Sequence, residues 1–184
     1  MKVTTLAKSL TVCLFLSGLA LGQSDKALGT LRQLGPEYND YRVLKVSLPV
    51  DTSSISLKVV GKVTRFAHIV GGKSETVPLA DQEKQEVAKT FERVVTAAIS
   101  NAITVRDDSK YRLVVVSGEG GGVMIGAGGI ITATLFLLNT QDRALLSDSS
   151  EYDSIGKGST LDGALNDLAV QVAKRFSKMA KPAK

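Results

Sequence analysis

Cysteine and histidine are almost missing from this chain. The one cysteine, Cys13, lies in an apolar N-terminal segment, and His68 is the only histidine among 184 residues. If that segment is removed on export, the remaining chain has no thiol, which excludes disulfides, thiolate nucleophiles and cysteine metal sites. One histidine and no cysteine also leave ordinary zinc sites and most nucleophile and base pairs unavailable. His68 falls on the polar parity of an alternating run and reads as a solvent-facing strand residue.

Nucleotide signatures are absent as well. Gly118 and Gly120 are followed by Val123, and Gly126 and Gly128 by Ile131, so neither set completes G-x-G-x-x-G. Gly156-Lys157-Gly158-Ser159 misses the phosphate-binding lysine motif by one residue, and no serine sits in a G-x-S-x-G elbow.

Excess charge of one sign is missing too. The formal +5 includes Lys2 and Lys8. Without them 21 basic and 18 acidic residues remain, and five of the basic ones (Lys174, Arg175, Lys178, Lys181, Lys184) fall in the last eleven positions. Residues 23–170 carry 16 basic and 18 acidic side chains, which argues against a nucleic-acid partner, since that needs a basic face rather than a basic tail.

What is present begins with an export signal. Residues 1–22 combine Lys2 and Lys8, an apolar run from Leu10 to Leu21 shorter than the ~20 residues of a membrane span, and small Ala20 and Gly22 before the expected cleavage point. Leu10, Thr11 and Val12 ahead of Cys13 do not form the small-residue site that lipoprotein processing prefers. Removing 22 of 184 residues leaves 162, the length of one domain.

In the exported part, residues 23–41 are polar, contain Gly35-Pro36 and read as a flexible N-terminal arm. Residues 42–180 read as a single domain and 181–184 as a basic tail. Val43 to Val50 suggests a first strand, and Ser56 to Val70 alternates, with a break near Gly61. Gly71-Gly72 marks a turn. A helix follows Pro78, with Val87, Phe91, Val94, Ala98 and Ala102 on its apolar side and Asp81 as its cap. Tyr111 to Ser117 is apolar on both parities from Leu113 to Val116, the pattern of a central strand. Ile130 to Leu138 and Ala144 to Ser154, separated by Asn139 to Asp142, form a hairpin. A last helix from Ser159 carries Leu161, Leu165, Leu168, Val172, Phe176 and Met179 on one stripe, with basic residues at its C-terminal end.

Two acidic groupings invite chemistry. Adjacent Asp107 and Asp108 sit in a polar turn, where solvated turn formers are the simpler reading. Asp148, Glu151 and Asp153 do not have the spacing of a calcium loop. Neither these nor Glu119 belongs to a converging set, so no catalytic, cofactor or metal residue is assigned.

The most unusual stretch is Ser117 to Leu138, with seven of the chain's seventeen glycines between Gly118 and Gly129. Having failed the phosphate templates, it reads as a mobile connection, and Gly118, Glu119, Gly120, Gly121, Gly122, Gly126, Gly128 and Gly129 form the candidate interaction loop. The alternative makes Gly120 to Gln141 a transmembrane helix with small-residue contacts at Gly122 and Gly126.

The order of parts carries a resemblance. An export signal, a strand, the PLADQEKQEVAKTFERVV helix, the YRLVVVSGEG strand, a glycine-rich link, the hairpin GIITATLFLLNTQDRALLSDSSEYDSIG and the GSTLDGALNDLAVQVAKRF helix together resemble small domains of unknown function in exported bacterial envelope proteins and lipoproteins, over residues 42–178. That implies a periplasmic or secreted α+β domain without recognised catalytic residues. The expectation is therefore a single, mostly antiparallel sheet of four to six strands with two amphipathic helices, near 81–102 and 159–179, packed on one face. Its function would be non-catalytic, with another envelope protein as partner, no cofactor and no nucleic acid. Membrane association is the less favoured option.

Overall fold

The computed structural model describes residues 25–44, 54–70, 73–124, 128–146, 153–158 and 160–179. The expected export signal with Cys13, the end of the first expected strand (45–50), the expected Gly71-Gly72 turn, Gly126, Asp148, Glu151 and the basic tail lie outside them.

The chain begins with a helix over residues 25–32 (α1) and a single 3-10 turn, Pro36–Tyr38. Strands follow at Arg42–Leu44 (β1), Ser54–Val60 (β2), Arg65–Val70 (β3) and Lys73–Pro78 (β4). Helix α2 (Asp81–Ala102) leads to β5 (Thr104–Val105), β6 (Tyr111–Ser117), β7 (Gly120–Met124), β8 (Gly128–Asn139), β9 (Ala144–Leu146) and β10 (Asp153–Gly158), and α3 (Leu161–Met179) closes the described chain.

All ten strands belong to one mixed sheet, with β4-β3-β7-β8-β6-β2-β5 as its main path, β10 and β9 on β8, and β1 on β9. This corrects the expected mostly antiparallel sheet of four to six strands. The pairs β1–β9, β2–β5, β2–β6 and β3–β7 are parallel. The reason lies in α2, a crossover that returns the chain to the end of the sheet where β2 began, so that β6 runs beside β2 in the same direction. Alternation in a strand reports which face is buried but not the direction of its neighbour.

Strand β8 organises the sheet. On one edge it meets β6 from Tyr111↔Asn139 to Ser117↔Ala133 and then β7 from Gly122↔Ile130 to Met124↔Gly128. On its other edge it meets β9 and β10, both antiparallel. The apolar run in β6 is explained by this central place: Leu113 and Val115 enter one core, and Val114 and Val116 enter another on the opposite face.

Helices α2 and α3 cover the first face. Val87, Phe91, Val95 and Ile99 of α2 and Ala164, Leu165, Leu168, Ala169, Val172 and Phe176 of α3 pack on Leu113, Val115, Ile131, Ala133, Leu135 and Leu137. The fully buried row of α2 runs from Val87 and Phe91 to Val95 and Ile99 at four-residue spacing, and the expected Val94 and Ala98 pack partly buried beside it. At the helix start the Glu83 carboxylate, rather than that of Asp81, accepts the Ala80 amide at 2.8 Å.

The stretch read as a flexible arm covers the second face. Ala27, Leu28, Leu31, Tyr38 and Tyr41 pack on Val114, Val116, Phe136, Leu138 and Leu145, and Leu31 and Tyr38 are fully buried. The alternative of a helix through 120–141 is likewise corrected: the described residues of that range, 120–124 and 128–141, are strands β7 and β8 and the turn after them. No helix among the described residues is long and apolar enough to cross a membrane.

Candidate functional site

The described part of the glycine-rich stretch is mostly strand: β7 at Gly120–Met124 and the start of β8 at Gly128. Gly118 and Glu119 form an offset between β6 and β7, where the ribbon holds two residues more than β8 between the pairs Ser117↔Ala133 and Gly122↔Ile130. The Gly118 amide donates to the Thr132 carbonyl at 2.8 Å. The Glu119 carbonyl accepts from the Thr64 amide at 2.8 Å and its hydroxyl at 3.1 Å. Gly120, Gly121 and Gly122 form β7 beside Arg65, Phe66 and Ala67 of β3. Gly128 and Gly129 open β8, and Gly126 lies outside the described residues.

The neighbouring ribbon breaks at the same level. Between β2 and β3 the Lys62 amide donates to the buried Ser117 hydroxyl at 2.6 Å, and the Gly61 amide to Glu92 Oε1 at 3.3 Å. A Cβ at Gly61 would strike the backbone of Ala88 in α2, so close approach of that helix requires the glycine. At Gly120 a Cβ would meet only Arg65 Nε, at 3.9 Å. The β7 glycines therefore leave a strip of bare backbone in the sheet, next to the β3–β4 hairpin.

That hairpin ends the sheet. Among the described residues strand β4 pairs only with β3, from Val70↔Lys73 to Arg65↔Pro78. The Leu79 amide donates to the Thr64 carbonyl at 2.9 Å, which makes Arg65–Pro78 a pair without its own hydrogen bonds and alternates the pattern along the strand. The amides of Ser74 and Thr76, and the carbonyls of Ser74, Thr76 and Pro78, thus point to the open edge, where Pro78 has no proton to donate. Lys73 and Glu75 to Pro78 are exposed, and Val77, a large apolar residue, is 42% exposed. Sequence reasoning missed β4 although a signal was there: Gly71-Gly72 between Arg65–Val70 and Lys73–Pro78 is a two-residue hairpin spacing.

Strap residues 36–41 and the sheet are joined by ion pairs, Lys58 to Glu37 at 2.7 Å and Arg143 to Asp40 at 2.6 Å. The Lys58 hydrogen bond holds the Glu37 carboxyl below the ordinary range, and the same bond raises Lys58. Burial raises the Tyr41 hydroxyl, against the lowering influence of Arg112.

The acidic candidates do not converge. Asp108 is held by Arg106 at 3.0 and 3.1 Å in an exposed turn, and this hydrogen bonding lowers its carboxyl, the opposite of what a general acid needs. Glu119 is exposed, Asp153 begins β10, and His68 is in β3. Among the described residues no three His, Cys, Asp or Glu side chains are grouped to hold a metal. Gly156 and Gly158, which gave the near-match to a phosphate motif, lie under α3 instead. A Cβ at either would collide with helix backbone around Gly163, Ala164 or Leu168.

One open groove lies between the C-terminal halves of α2 and α3. It has a volume of about 590 Å³ and is lined by Ala98, Asn101 and Ala102 on one side and Val170, Ala173, Lys174 and Ser177 on the other.

No family model matches the chain, and no curated protein matches it. The solved structures similar to it include two from bacteria. A PelC dodecamer variant from Paraburkholderia phytofirmans is 13% identical over 71% of this chain and 95% of that one, with a TM-score of 0.40. A protein of the DUF330 family from Xanthomonas campestris is 12% identical over 76% of this chain and 89% of that one, with a TM-score of 0.36.

Proposed function

We propose that the protein is an exported, non-catalytic module of the bacterial envelope that binds another protein by adding one of its strands to β4. The observation that carries this reading is the open β4 edge, where two amides and three carbonyls face outward beside an exposed Val77. An extended partner segment would satisfy those groups in a continuous ladder, and alternate side chains would set specificity. Lys73 and Glu75 give the edge one charge of each sign, which discourages indiscriminate pairing with flat apolar strands.

The test is capture from an envelope extract by the purified chain and by Thr76→Pro, which removes one outward amide without touching the bonds to β3. The reading expects a partner retained by the parent and lost, by about tenfold or more, with the variant. Equal capture by both, or turnover of a small substrate by the purified chain, would overturn it.

A further inference from the structure

The groove between α2 and α3 is a second recognition surface, on elements unrelated to the β4 edge. Its two walls follow helical spacing, Ala98 and Ala102 on α2 facing Val170, Ala173, Lys174 and Ser177 on α3. Small side chains on both walls leave a trough about 590 Å³ in volume. Val170 stands 46% exposed at its border, the most exposed large apolar side chain among the described residues. A trough between two packed helices is shaped to receive the side-chain ridge of a third.

Charge restricts what that third helix is. From Arg93 to Ala102 in α2 and from Leu168 to Met179 in α3 the sequence has no acidic residue, whereas it has Arg93, Lys174, Arg175 and Lys178. Lys174 lines the trough and is exposed. The carboxylate next along that stripe, Asp167, already accepts the Lys157 amide at 2.9 Å and the Gln171 side chain at 3.3 Å. We infer that the groove binds an acidic amphipathic helix of another protein, with apolar residues spaced i, i+4, i+7 in the trough and carboxylates facing Lys174. The concave shape favours a helix over an anionic bilayer, because insertion into lipid needs several protruding apolar side chains, and Val170 is the one large apolar residue in a lining otherwise made of Ala98, Asn101, Ala102, Ala173, Lys174 and Ser177.

The experiment uses the exported chain and a fluorescent synthetic helical peptide with leucines at i, i+4 and i+7 flanked by glutamates, read by polarisation. Expected is saturable binding that weakens with added salt, falls by about tenfold or more in Val170→Asp and in Lys174→Glu, and is absent for the same peptide with lysine flanks. Both substitutions are at exposed positions, and unchanged circular dichroism and melting temperature confirm the fold. Binding that ignores Val170→Asp overturns the proposal, and so does equal binding of the lysine-flanked peptide. Two further results also overturn it: sedimentation of the chain with phosphatidylglycerol vesicles in a Val170-dependent way, and Val170-dependent self-association. Thr76→Pro leaves the peptide binding unchanged, so failure here is separable from failure at the β4 edge.

Discussion

Lys58 Nζ lies 2.7 Å from Glu37 Oε1, and the same ammonium stands 5.1 Å from the centre of the Tyr38 ring. One lysine of β2 thus pins the strap that covers the second face of the sheet, through a charge-assisted hydrogen bond and a cation over an aromatic ring.

The pH dependence of this contact follows from its shifts. The Glu37 carboxyl is lowered by the Lys58 hydrogen bond, so its contribution is present above the ordinary glutamate value and is lost as pH falls through the lowered one. Lys58 is raised by the same bond, so its share is present below the ordinary lysine value and is lost as pH rises through the raised one. Arg112 adds a smaller lowering influence on Glu37. Glu37→Gln should therefore melt below the parent at neutral pH, with the difference shrinking as pH falls through the lowered carboxyl value. A constant difference across that range would show that the carboxylate is not what matters.

The buried strap residue Leu31 gives a sharper test. It is fully buried against Val114, Val116, Phe136 and Leu138, and a leucine in such a place costs about 2–5 kcal/mol when cut to alanine. Leu31→Ala should lower the free energy of unfolding in urea by that order, whereas a residue in a loose arm would give almost nothing.

Much of this architecture can be read in the sequence, but unevenly. The two helices are legible because Phe91 and Val172 belong to clean three-to-four spacings, and β6 because Leu113 to Val116 are apolar on both parities. The strap had a comparable signal in Ala27, Leu28, Leu31, Leu34, Tyr38 and Tyr41, obscured by Gly29 and Gly35-Pro36, which ordinarily mark loops. The glycine strand β7 was not legible, since Gly120 to Gly122 have poor intrinsic strand preference and are held by pairing with β3, Gly122 with β8 as well. Of the candidate interaction residues, the glycines were found as a group but their form was not. The β4 edge depended on noticing a hairpin, and the groove on how two helices meet, which no local pattern reports.

Gly156 shows where a glycine has a steric role. A Cβ there would run into the Ala164 carbonyl and into Leu168, and α3 packs directly on β10 and β8. Gly156→Ala has to push the helix away from the sheet, at a cost of about 1–3 kcal/mol or more. Gly120→Ala meets only Arg65 Nε at 3.9 Å and should change stability by less than about 1 kcal/mol. Chemical denaturation of the two variants side by side checks the contrast, and similar losses would contradict it.

Ser117 offers the last test, at the level where both ribbons break. Its hydroxyl, in a residue only 4% exposed, accepts the Lys62 amide at 2.6 Å. This bond replaces the ladder contact that β2 would otherwise have made with β6 beyond Val60, so the break in one ribbon is fastened to the offset in the other. Ser117→Ala removes the acceptor and leaves a part-buried amide unpaired, which costs about 1–3 kcal/mol. Hydrogen exchange reads the effect locally: the Lys62 and Thr64 amides should lose protection in the variant while those of β6 and β8 keep theirs. If exchange at Lys62 is unchanged, another group satisfies its amide and the two breaks are not coupled through Ser117.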